Sequence, residues 1–313
     1  MNSVDAPYLN QWMSHHAGVI SSNVRPAAHS SPNVRPAAHS SAGGRLATPA
    51  LDRQSQQESE HSMNQRHSLA GTTAIVTGAS RGFGRAIAAA LSQAGAEVGG
   101  VARTAALLDE VRDQLGDSFI PVVADAADPA TASELIDKYD PRTLVLCAGS
   151  APRMSPLPEQ SWETFSANWN VDVAQAFHWT RHALARPLAS GSSVILMSSG
   201  AAVNGSPLSG GYAGAKATVR FIGSYAAGES DRAGLGITFV SVLPRLTAVT
   251  DLGAKAAAAY AERQGVDVDT FVASTGPALT AELVGTSVSA IAGGEPGQHG
   301  AYLLTASGLS SLT

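Results

Sequence analysis

The 313-residue sequence has a single cysteine, Cys147, and only three lysines, Lys138, Lys216 and Lys255. One cysteine excludes a disulfide framework and points to a reducing compartment, so the expected location is the cytoplasm. Charged residues are 14% of the chain, aromatics 5%, and the net charge is −5. Without a basic excess there is no electrostatic footprint for nucleic acid. No apolar run reaches the roughly 18 residues of a transmembrane helix. The first residues lack the basic start and apolar stretch of a secretory signal. Lysine is so scarce that one standing inside a motif carries extra weight.

Residues 1–68 read as a disordered, low-complexity extension. They hold six of the nine histidines and a tandem decapeptide, SSNVRPAAHS over 21–30 and SPNVRPAAHS over 31–40. No hydrophobic period persists, so burial cannot offset the entropy of ordering. The histidines lack zinc-ligand spacing, and no metal is expected. Residues 1–51 contain one acid, Asp5, beside Arg25, Arg35 and Arg45. A transit peptide is an alternative, against which the prolines argue. A third reading makes the segment dispensable, with Met63 as the functional start.

From residue 69 the pattern changes. Short apolar runs read as strands at 73–77, 96–102, 120–124, 144–148, 194–198, 238–243 and 301–304. Helical stretches separate them at 81–95, 105–115, 130–139, 159–188, 210–229 and 280–291. Strand alternating with helix predicts a parallel sheet covered on both faces. The expectation is one α/β doubly wound domain over 69–313, with a seven-stranded parallel sheet.

Thr77-Gly78-Ala79-Ser80-Arg81-Gly82-Phe83-Gly84 follows the first strand and opens the first helix. Glycines let backbone N–H groups approach a pyrophosphate, and the helix N-terminus adds partial positive charge. Further on, Ser199 stands thirteen residues before Tyr212, and Lys216 four residues after it. A phenol and an ammonium at i, i+4 share a helix face. A neighbouring cation favours the phenolate and brings a poor base toward working range.

With its leading Thr-Gly, the glycine turn resembles that of the short-chain dehydrogenase/reductase family, and Asn170, Ser199, Tyr212 and Lys216 follow in that family's order. The resemblance spans 69–306 and implies a Rossmann-type domain binding a nicotinamide dinucleotide. It implies that Ser199 binds the substrate carbonyl oxygen and that Tyr212 is the general acid/base. Lys216 would hold the nicotinamide ribose and lower the Tyr212 pKa, and Asn170 would support a relay water.

Cofactor contacts implied by the resemblance are Gly78, Ser80, Arg81, Gly82, Phe83, Gly84, Arg103, Asp125, Ala126, Ala148, Gly149, Tyr212, Lys216, Pro244 and Thr247. The second strand ends Val101-Ala102-Arg103, without the acid that binds a ribose 2′-hydroxyl. Arg103 and Arg81 suit a 2′-phosphate, so NADP(H) is the expected cofactor. The alternative is two solvated surface arginines.

The sequence also departs from the family. Leu146-Cys147-Ala148-Gly149 replaces Asn-Asn-Ala-Gly, which puts local hydrogen bonding in doubt. Cys147 reads as a buried apolar residue rather than a nucleophile. Pro244 is followed by Arg245, which, with Arg153, is either a contact for an anionic substrate or a solvated loop residue. Residues 246–275 are expected to form a mobile, substrate-selecting lid.

The function expected is an NADP(H)-dependent oxidoreductase acting on a small carbonyl or secondary alcohol. The alternatives are a non-catalytic dinucleotide-binding regulator and an epimerase or dehydratase. Apolar residues on several faces of the helices at 159–188 and 210–229 predict a homodimer or homotetramer. No membrane or nucleic-acid partner is expected.

Overall fold

The computed structural model describes residues 69–295 and 299–312. The extension at 1–68 and the candidate start at Met63 lie outside the described residues.

Eight strands form one sheet in the order β3-β2-β1-β4-β5-β6-β7-β8. They are β1 (Thr73–Thr77), β2 (Glu97–Ala102), β3 (Phe119–Val123), β4 (Thr143–Leu146), β5 (Ser193–Met197), β6 (Thr238–Pro244), β7 (Gly300–Thr305) and β8 (Gly308–Leu312). The first seven pair in parallel. The eighth is antiparallel to β7 and corrects the expected seven-stranded sheet. It turns back through Ala306-Ser307 with Gly308 at φ 98°. Gly-Leu-Ser-Ser-Leu lacks the continuous apolar run that reveals a doubly covered strand.

The helices are α1 (Gly82–Gln93), α2 (Ala105–Leu115), α3 (Pro129–Tyr139), α4 (Trp162–Ser166), α5 (Ala174–Ala185), α6 (Ala201–Asn204), α7 (Gly210–Ala233), α8 (Asp251–Gln264), α9 (Val268–Ser274) and α10 (Ala281–Ala292). Alternate side chains on each strand face opposite sides of the sheet. Val76, Val145, Ile195 and Val240 pack with Ile87 and Leu91 of α1 and Val284 and Val288 of α10. Ile75, Leu144, Leu146, Val194 and Leu196 pack on the other face with Ile136 of α3, Trp179 of α5 and Val219 of α7. Trp179 is fully buried, and its indole N–H donates to the Ala126 carbonyl at 2.9 Å.

One other expectation changes, and another gains detail. The helix expected over 159–188 is broken into α4, a π-helical turn over Trp169–Val173, and α5. A capping box between Ser161 and Thr164 starts α4. The expected lid at 246–275 contains two helices, α8 and α9, capped by Thr250 and Asp267. They close on a small cluster of Ala257, Ala261 and Phe271.

Candidate active site

The strand order reverses direction between β1 and β4, and the crevice beyond their carboxyl ends is where open α/β sheets bind ligands. The glycine turn lies here, suspended from β2 by Gly78 N donating to Val101 O at 2.8 Å. Gly78 has φ +70°, and a Cβ there would stand 2.8 Å from Ala148 Cα. Only glycine lets the turn lie against the end of β4. Arg81 is the N-cap of α1 but makes no side-chain cap, and no acid occupies the first turn. The helix therefore presents open N–H groups and unneutralised positive charge. Ser80 and Gly84 are buried, Phe83 is half-buried, and Arg81 and Gly82 are exposed.

Arg103 and Asp125 follow β2 and β3 on the same edge, which pair Ala102 with Val123. Arg103 is exposed and has no partner among the described residues. Asp125 Oδ1 accepts from Ala127 N at 2.9 Å, folding a tight turn around the buried Ala126. Asp128, not Asp125, caps α3. Pro244 is buried at the end of β6, and the exposed Arg245 follows it. Thr247 is buried, and its hydroxyl has no partner among the described residues. Arg153 is also exposed, and no contact joins it to Arg245 among the described residues.

The amides missing before Ala148 are replaced from elsewhere. Thr77 Oγ1 accepts from Cys147 N at 2.9 Å and Ala148 N at 3.1 Å. It donates to Gln175 Oε1 at 2.8 Å, and Gln175 Nε2 donates to the Ala148 carbonyl. The end of β4 is thus tied to β1 through α5. Burial pushes the Cys147 thiol up to about 11, which fits the inert role expected of it.

Ser199, Tyr212 and Lys216 converge where β5 ends and α7 begins. Ser198 Oγ donates to the Lys216 carbonyl at 2.7 Å, fastening the strand exit to the helix. Ser199 is half-buried, its Oγ accepts from Ala201 N at 3.1 Å, and its side chain favours the ionised form of the neighbouring Tyr212 phenol. The Lys216 ammonium lies 5.7 Å from the centre of the Tyr212 ring. Burial raises the Tyr212 pKa, and the opposing pull of Lys216 and Ser199 does not reverse it. Lys216 pulls in the expected direction, but desolvation of the phenolate outweighs the cation.

Asn170 does not reach this cluster; it is exposed. Asn168 and Asp172 point inward, and a residue two places from each faces the opposite side. Asp172 takes the inner position, with Oδ1 3.0 Å from Lys216 Nζ. The signal for it was available in the sequence. Asn168, Asp172 and Gln175 form a polar stripe at i, i+4 and i+7, and all three are buried.

The site has no cluster of His, Cys, Asp or Glu among the described residues that could hold a metal. It does fit a dinucleotide. The uncapped helix, the close approach at Gly78 and the unpartnered Thr247 hydroxyl all line the carboxyl edge of the sheet.

Known proteins are similar to this chain. The family profile for short chain dehydrogenase matches residues 72–261. The NADPH-dependent aldehyde reductase-like protein of Arabidopsis thaliana is 31% identical over 197 residues, 56% of this chain and 72% of that protein. L-xylulose reductase from Mus musculus is 35% identical over 106 residues, 34% of this chain and 43% of that protein. The matched region spans less than half the length of the first curated relatives. A putative NAD(P)-dependent gluconate 5-dehydrogenase from Beutenbergia cavernae, solved with NADP, superposes at TM-score 0.61 with 29% identity, covering 72% of this chain and 90% of that one. The profile spans most of the described residues, from β1 into α8. The chain is a member of the short-chain dehydrogenase/reductase family of oxidoreductases.

Proposed function

We propose that the chain uses NADP(H) to interconvert a small carbonyl compound and a secondary alcohol, with Tyr212 as the acid/base. The convergence of Ser199 and Lys216 on the Tyr212 phenol carries this reading. The glycine turn, Asp125, Ala126, Ala148, Gly149 and Thr247 would hold the dinucleotide, which supplies the hydride when bound. The Ser199 hydroxyl donates a hydrogen bond to the substrate oxygen. Tyr212 gives that oxygen its proton as the carbonyl carbon is reduced, and recovers it in the reverse direction. A phenol held above its ordinary pKa is proton-loaded at neutral pH, the form that carbonyl reduction requires. Lys216 faces the phenolate left behind and would hold the nicotinamide ribose.

Arg103 and Arg81 support NADP(H) over NAD(H), because each is an exposed cation on the edge that follows β2 and the glycine turn. The Arabidopsis relative is named as NADPH-dependent, and the Beutenbergia structure holds NADP. In this reading the catalytic domain spans 69–313, works in the cytoplasm and forms a dimer or tetramer. No helix among the described residues is long and apolar enough to cross a membrane.

The test begins with a screen of aldehydes, ketones and polyols against NADPH and NADP⁺, followed by nicotinamide absorbance. With any substrate so found, Tyr212→Phe should lower turnover by about 10²–10⁴-fold and leave cofactor binding intact. A variant retaining more than roughly a tenth of the rate would remove Tyr212 as the acid, since a general acid contributes at least about a hundredfold.

A further inference from the structure

Beside the proposed acid lies a buried anion that the proton transfer itself does not call for. The Asp172 side chain has 0% exposure. Its Oδ1 pairs with Lys216 Nζ at 3.0 Å, while Oδ2 accepts from Ser150 N at 2.9 Å. Ser150 Oγ and Asn168 Nδ2 stand 3.4 Å from the same oxygen. Asn168 is itself fixed by donating to Ser150 O at 2.8 Å. A Cβ on Gly149 would come within 2.9 Å of Asp172 Oδ1, so the carboxylate fills the space that the glycine leaves. A buried carboxylate persists only when it is both paired and hydrogen-bonded, and Asp172 is both.

Lys216 alone would ease ionisation of Tyr212. A carboxylate against that lysine works in the opposite direction. We propose that Asp172 is a positioning residue that clamps the Lys216 ammonium against the Met197 carbonyl and cancels its charge, keeping Tyr212 proton-loaded. The inference rests on the reading of Tyr212 as the acid.

An ammonium has three N–H donors. Met197 O takes one at 3.0 Å, and Asp172 Oδ1 holds the ammonium as an ion pair at 3.0 Å. That leaves donors for the Tyr212 phenol and for the nicotinamide ribose. Burial works against the charged lysine, but Asp172 and Tyr212 outweigh it and hold Lys216 above its ordinary range. The other ionisable groups facing the pair are the Cys147 thiol at the end of β4 and the Tyr260 phenol of α8. Burial raises both and keeps them neutral. Asp172 is therefore the anion that sets the balance around Tyr212 and Lys216.

The test isolates the Tyr212 phenolate by its ultraviolet absorbance in the full chain. Stopped-flow pH jumps sample the native state, and the signal of the matching Tyr212→Phe protein is subtracted. Asp172→Asn should lower the Tyr212 midpoint by about one pH unit, the effect of removing a charge at this range. Asp172→Ser, neutral and smaller, is the second variant should the amide fail to fold. The unaltered protein provides an independent measurement. With only three lysines, isotope-labelled lysine NMR resolves each, and Lys216 should stay protonated above the ordinary lysine range. An unchanged phenolate midpoint in the neutral variant, or Lys216 titrating within the ordinary lysine range, overturns the proposal. Those results would leave Tyr212 as the acid, whereas full turnover by Tyr212→Phe would remove the acid itself.

Discussion

Arg81 Nη1 lies 3.8 Å from Asp251 Oδ2, a contact that joins the glycine turn to the first turn of α8. The two side chains are 74% and 78% exposed, so the pair contributes little to stability. Its guanidinium remains available to an anion arriving at the turn, as does that of the unpartnered Arg103.

Arg103→Ala should therefore raise the KM for NADPH by roughly tenfold or more, as expected for one lost charge-assisted bond. The KM for NADH should change little, because NADH has no 2′-phosphate. Steady-state kinetics with both cofactors check this. Equal losses with the two would show that Arg103 does not read the phosphate.

Cys147 should resist alkylation. With its thiol pushed up to about 11 by burial, the thiolate is scarce at neutral pH. Modification by iodoacetamide in the native protein should be slow at pH 8 and accelerate only as pH approaches that value. It should become fast after unfolding. Mass spectrometry of timed samples follows the single cysteine directly, and rapid native labelling at pH 7 would contradict the assignment.

Tyr260 connects α8 to the residues that lead into α7. Its hydroxyl meets Ser206 Oγ, which lies 2.6 Å from Ser209 Oγ just before that helix. Its ring stacks on Phe271 of α9 at 5.8 Å. Tyr260→Phe keeps the stack and loses the hydrogen bond, at a cost of about 1 kcal/mol. Hydrogen exchange should quicken over 251–274 while the sheet stays protected. Uniform loss of protection would show that this hydroxyl supports the whole domain instead.

Phe221 and Tyr225 stack on the outer face of α7 at 6.3 Å, although they are 67% and 65% exposed. Phe177 on α5 is 49% exposed as well. Apolar faces of this kind mark contact surfaces, and a two-fold axis would bring the same patch against itself. Sedimentation should give a dimer or tetramer at micromolar concentration, and Phe221→Arg should shift the mass downward. A monomer in the unaltered protein would end the oligomer reading.

The sheet was legible because β1, β4, β5 and β6 are continuous buried runs that cannot be loops. The strand β8 was not, since its two adjacent serines between leucines sit at an edge and gain meaning only by pairing with β7. The helices α8 and α9 were hidden by their small residues, whose cluster needs Phe271 and Tyr260 to close it. At the site, chain spacing indicated that Lys216 would accompany Tyr212. It could not indicate how deeply the phenol lies, and that depth sets the direction of its pKa. The polar stripe of Asn168, Asp172 and Gln175 signalled the inward position of Asp172, although the turn at Trp169–Val173 shifts the helix phase around it.

That turn carries one residue more than an α-helix would use, and everything after it is phased accordingly. Losing a single residue there rotates α5 by about 100° relative to the sheet. Gln175 would leave Thr77 and Trp179 would leave the Ala126 carbonyl, so the harm reaches the core as well as the site. The segment from Asn168 to Gln175 should thus tolerate substitutions far better than changes of length. In descent, a one-codon deletion at this point is a larger step than several point replacements around it.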